Sequence, residues 1–106
     1  MSVVSKTIKY LLDKNISVST AESCTGGLLA AEFTAVSGIS KIYKTGLITY
    51  SNDSKIKNLK VKPSTIKRYG AVSRQVCAQM CLHLHKISKS QLTFSTTGVA
   101  LSLIHI

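Results

Sequence analysis

The chain has 106 residues, room for one domain with a modest core, and its net charge of +10 comes from 14 Lys and Arg against 4 Asp and Glu. No uninterrupted apolar run approaches the about 18 residues that cross a bilayer, and residues 1–13 lack a signal-type apolar core, which argues against a membrane-spanning helix and for a cytoplasmic protein. The lysines are scattered from Lys6 to Lys89 with no aromatic residues set between them as stacking platforms, so solvated lysines explain the charge better than a nucleic-acid surface.

Val4, Ile8, Leu11 and Leu12 recur at helical spacing, which predicts an amphipathic helix over residues 3–13. Ile16, Val18 and Thr20 alternate with Ser17 and Ser19, as in a short strand, and the segment Ala21 to Gly27 then reads as a loop. Leu29, Phe33 and Val36 mark one face of a second helix that Ser37-Gly38 stops.

Tyr43 to Tyr50 is rich in Thr, Tyr, Leu and Ile and predicts a second strand, with Gly46 marking a close backbone approach or a bulge. Ser51 or Asn52 can cap a short helix through Lys55 and Leu59, Pro63 can open another, and Gly70 ends it. Ser73 is an N-cap for a long helix to about Ser88, striped by Val76, Met80, His83, Leu84 and Ile87, and Leu92 to Thr97 predicts a third strand. Alternating strands and helices imply an α/β fold, a single layered domain with helices packed on a mixed sheet.

Ser23 before a double glycine, Tyr50 at a strand end and Lys55 at a helix start together make a nucleophile apparatus. A serine attacks an amide only if its proton leaves as the bond forms, and a lysine can take that proton only when neutral, well below its ordinary pKa of about 10.4. Taken alone, the Ser23 hydroxyl also suits helix capping, and Gly26-Gly27 suits a tight turn as well as an oxyanion or phosphate site made from backbone N–H groups.

The segment Thr20-Ala21-Glu22-Ser23-Cys24-Thr25-Gly26-Gly27 resembles the signature of the CinA C-terminal domain family, the nicotinamide-nucleotide amidases. Gly46, Tyr50-Ser51-Asn52 with Lys55, Gly70-Ala71-Val72-Ser73 and Thr96-Thr97-Gly98-Val99-Ala100 follow in the same order, so the similarity runs from about Ile8 to Ala100. The resemblance implies hydrolysis of nicotinamide mononucleotide to nicotinate mononucleotide and ammonia, with no metal and no cofactor. It makes Ser23 the nucleophile, Lys55 the proton acceptor and Tyr50 the orienting partner. Thr25, Gly26, Gly27, Gly46, Ser73, Thr97 and Gly98 would line the substrate pocket.

Residues 1–100 then form an incomplete domain of that family, and Leu101 to Ile106 departs from its pattern as a non-native tail. An alternative follows, a catalytically inactive truncated remnant that keeps the motifs. Absence of the C-terminal part would leave the strand Leu92 to Thr97 with an open edge and room for self-association into a homo-oligomer.

Other signals carry less. Cys77, Cys81 and His85 share a helical face but lack a fourth metal ligand, and Cys24, Cys77 and Cys81, an odd set, are expected to be free thiols. The Ser-x-x-Lys runs at Ser54 and Ser64 mean little in a chain so rich in both residues. Cys24 could itself be a nucleophile, but no histidine lies near it in sequence.

Overall fold

The computed structural model describes residues 2–98. Helix α1, Val3–Asp13, begins where the Ser2 hydroxyl accepts the Ser5 N–H at 3.1 Å, and it buries Ile8 and Leu11. Lys14 and Asn15 turn the chain, Asn15 at φ 55°, into strand β1, Val18–Glu22. All five β1 residues are buried, the mark of a central strand covered on both faces.

The remaining elements are α2 (Leu28–Thr34), a 3-10 turn (Ile39–Lys41), β2 (Tyr43–Ile48), α3 (Asn52–Leu59), α4 (Pro63–Tyr69), α5 (Arg74–Ser88) and β3 (Leu92–Ser95). Strand order is β2-β1-β3, and both pairings are parallel. The mixed sheet expected from the sequence is therefore corrected: among the described residues both strand-to-strand connections, β1 to β2 and β2 to β3, run through helices, which is what parallel neighbours require.

Successive β1 side chains point to opposite faces and seed two cores. On one face Val18 joins Ile8, Leu11, Phe33, Ile39 and Ile42; on the other Ala21 joins Leu59, Val61, Val76, Met80 and Leu84. Phe33 stacks on Tyr43 with ring centroids 5.2 Å apart. The stripe expected on α5 holds for Val76, Met80 and Leu84 but fails at Ile87, which is left exposed one turn farther on.

Strand boundaries also differ from expectation. β1 starts at Val18 and runs on through Ala21 and Glu22, which the alternation assigned to a loop; pairing to β2 and β3 extends the strand past the point where its polar pattern breaks. β2 stops at Ile48 and β3 at Ser95, each two residues early. β2 and β3 are the two edge strands among the described residues, and the tail expected at 101–106 lies outside them.

Candidate active site

Parallel pairing sends the chain out of all three strands at one edge: Glu22 is opposite Ile48 and Ala21 is opposite Ser95. Ser23, Thr49-Tyr50 and Thr96 follow those strand ends directly, in the position where open α/β sheets bind ligands.

Lys55 reaches this edge because Ser51 caps α3, accepting the Ser54 N–H at 3.0 Å, and because Lys55 and Leu59 share the buried face of that helix one turn apart. The lysine is 1% exposed. Its Nζ lies 2.9 Å from Ser23 Oγ, 2.8 Å from Thr49 O and 3.0 Å from Tyr50 O. Burial pushes the Lys55 ammonium below its ordinary pKa, and the coulombic interaction with the Cys24 side chain opposes that shift.

Ser23 is itself 3% exposed, with Oγ 3.5 Å from Tyr50 O. Tyr50 enters this cluster through its carbonyl oxygen, while its side chain is exposed to solvent. Glu22, one residue before Ser23, is buried and accepts from Thr25 Oγ1 at 2.6 Å, Leu29 N at 2.8 Å and Ala30 N at 3.0 Å. Thr25 Oγ1 lies 3.0 Å from Thr96 Oγ1 at the end of β3.

The glycines are used locally. Gly26 at φ 59° and Gly27 at φ 108° hold conformations that L side chains resist, and they fold the chain back into α2. The Gly26 N–H, expected to be free for an oxyanion, instead donates to Ser23 O at 3.1 Å. Among the described residues the N–H groups of Cys24, Thr25 and Gly27 have no hydrogen-bond partner.

The other residues expected in the pocket have distinct places. Gly98 passes the loop after Ser23, where a Cβ would meet Cys24 Sγ at 2.9 Å. Thr97 Oγ1 donates to Ala71 O at 2.8 Å, tying the end of β3 to the turn before α5. Ser73 Oγ accepts the Val76 N–H and donates to Gly70 O, so its hydroxyl is committed to capping α5. Gly46 sits opposite Thr20, back along the sheet from Ser23, where a Cβ would overlap the Tyr43 hydroxyl that bonds Thr20 Oγ1.

Sequence reasoning passed over Glu22, Thr49 and Thr96. Glu22 carried a signal, a carboxylate in an otherwise neutral run beside the candidate nucleophile, whereas Thr49 acts through a main-chain carbonyl that no side-chain pattern marks. Among the described residues no group of three His, Cys, Asp or Glu could hold a metal ion. Cys77 and Cys81 instead face Ser95 and Thr93 of β3, each with Sγ 3.1 Å from the partner hydroxyl. All three cysteines are free, and no described helix is long and apolar enough to cross a membrane.

Known proteins resemble this chain over most of its length. A putative competence-damage inducible protein of Clostridium novyi is 51% identical over 92 residues, which are 87% of this chain and 22% of that protein. Its counterpart in Acetivibrio thermocellus is 47% identical over the same length. Among solved structures, a competence-damaged protein (CinA) superfamily protein of Escherichia coli superposes with TM-score 0.84 at 33% identity, covering 90% of this chain and 55% of that one. The competence/damage inducible protein CihA of Agrobacterium tumefaciens gives TM-score 0.85 at 34% identity, over 93% of this chain and 65% of its own. The chain thus spans about a fifth of the curated relatives and somewhat over half of the solved ones. A family model of the CinA C-terminal domain matches residues 1–102, and the chain belongs to that family.

Proposed function

We propose that the chain is an amidohydrolase of the nicotinamide-nucleotide amidase type, converting nicotinamide mononucleotide to nicotinate mononucleotide and ammonia through Ser23 and Lys55. The observation that carries the reading is the set of three oxygens around Lys55 Nζ. Two of them, Thr49 O and Tyr50 O, can only accept. A neutral amine has two protons and one lone pair, so when both protons go to the carbonyls the lone pair faces the Ser23 hydroxyl.

The chemistry then follows. Lys55 takes the hydroxyl proton as Ser23 Oγ adds to the carboxamide carbon, and the resulting ammonium returns that proton to the departing nitrogen, releasing ammonia and leaving a nicotinoyl ester on Ser23. A water, deprotonated by the same amine, cleaves the ester and regenerates the serine. The N–H groups of Cys24 and Thr25, unpartnered among the described residues and directly after the nucleophile, are suited to the negative oxygen of the tetrahedral intermediate. The lysine-rich surface suits a substrate that carries a phosphate.

The test is ammonia release from nicotinamide mononucleotide by the 106-residue chain. Release from the native protein that disappears in Ser23→Ala supports the reading; undiminished release from Ser23→Ala, or none from the native protein, overturns it for this chain.

A further inference from the structure

Glu22 is the last residue of β1 and is bonded directly to Ser23, yet its carboxylate is 1% exposed. Burying a carboxylate costs several kcal/mol unless its oxygens are fully satisfied. Here three donors meet it: Thr25 Oγ1 and Leu29 N on Oε1, and Ala30 N on Oε2. Among the described residues no basic side chain pairs with it.

Capping a seven-residue helix does not require this expense, since an exposed Ser or Asp at the N-cap does it. What the carboxylate adds is reach across the edge. It holds the loop from Thr25 to Ala30 back against Glu22, while the Glu22 carbonyl accepts the Thr49 N–H at 2.8 Å and Thr25 meets Thr96. One residue therefore joins the ends of β1, β2 and β3 around Ser23. It also occupies the Leu29 and Ala30 N–H groups, so that among the described residues the unpartnered donors closest to Ser23 along the chain are those of the loop.

We infer that Glu22 is a positioning residue: its buried carboxylate fixes the Ser23 loop so that the hydroxyl stays on the Lys55 amine and the loop N–H groups stay aimed at the reacting carbonyl. The inference rests on the proposed reading of Ser23 as nucleophile. No substrate contact by Glu22 is involved.

Glu22→Gln tests it, because the amide keeps size and one oxygen but, in either orientation, sets an NH2 against Leu29 N–H or Ala30 N–H. The measurements on the 106-residue chain are kcat and KM for ammonia release from nicotinamide mononucleotide, the pH of the acid limb, and the rate at which a fluorophosphonate labels Ser23. A misplaced reacting group costs up to about 100-fold in rate, so kcat and labelling should both fall about 10- to 100-fold while KM and the acid limb hold. Wild-type rates of labelling and turnover in folded Glu22→Gln would overturn the inference, as would losses no larger than the unfolded fraction accounts for.

If the native protein is not labelled at all, the nucleophile reading fails first and takes this inference with it; labelling without ammonia release sinks only the choice of substrate. Should Glu22→Gln fail to fold, Thr25→Ala removes a single donor to the carboxylate. A fall in labelling with an unchanged acid limb supports positioning, and an unchanged labelling rate overturns it.

Discussion

Glu22 of β1 is paired with Ile48 of β2, and its carbonyl accepts the N–H of Thr49 at 2.8 Å, so the two chains leave the sheet at the same height. That register, and not nearness in sequence, brings Ser23 against Lys55 across 32 positions. A slip of one residue would turn every β1 side chain to the other face and would carry Ser23 away from the amine.

Ser23→Ala and Lys55→Met should each lower kcat for ammonia release by about 1000-fold or more, and the double variant should be no worse than either single one. Groups that act as one unit lose nearly everything with the first deletion. Steady-state kinetics of the three variants check this, and additive losses would count against a shared step.

The rate should rise with pH along a limb set by Lys55, below the ordinary lysine value of 10.5, because only the neutral amine accepts the Ser23 proton. Stability should follow the same proton. The folded pKa is depressed, so between it and 10.5 the unfolded chain binds more protons than the folded one, and stability increases as pH rises through that window. The difference in unfolding free energy between the native protein and Lys55→Met, measured in urea at several pH values, should show that increase; a flat difference would contradict it.

Thr49 Oγ1 is buried and without a hydrogen-bond partner among the described residues. Such a hydroxyl costs about 1–3 kcal/mol when left unmet. Thr49→Val keeps the shape and the carbonyl that holds Lys55, so its melting temperature should equal or exceed that of the native protein, with turnover preserved.

Gly27→Ala should destabilise more than Gly26→Ala. At φ 108° an L residue is strained, and the new methyl would press on Ile48 Cδ1 at 3.2 Å, whereas Gly26 sits at φ 59° with open space around it. The left-handed conformation alone costs about 1–2 kcal/mol, so Gly26→Ala should lose that much and Gly27→Ala more. Urea midpoints compare the two.

Local chemistry was enough to read where three of the helices begin. Ser51 and Ser73 carry the hydroxyls that cap α3 and α5, and Pro63 opens α4, because a cap acts within three residues of itself. Local chemistry did not single out Ser23 and Lys55 in the same way: a serine before two glycines equally suits a cap or a turn, and the two became candidates through the resemblance of their motifs to the CinA C-terminal domain family.

Tertiary structure alone decided the rest. It set the parallel order β2-β1-β3, the extension of β1 through Glu22, the use of the Tyr50 carbonyl with its phenol in solvent, and the commitment of Ser73 and the Gly26 N–H to local bonds. Strand ends depend on which neighbour supplies the next ladder bond, and main-chain oxygens are identical in every residue. Side-chain periodicity therefore carries no mark of which carbonyls will surround an amine, and only the packed fold brings Thr49 O, Tyr50 O and Ser23 Oγ together around Lys55 Nζ.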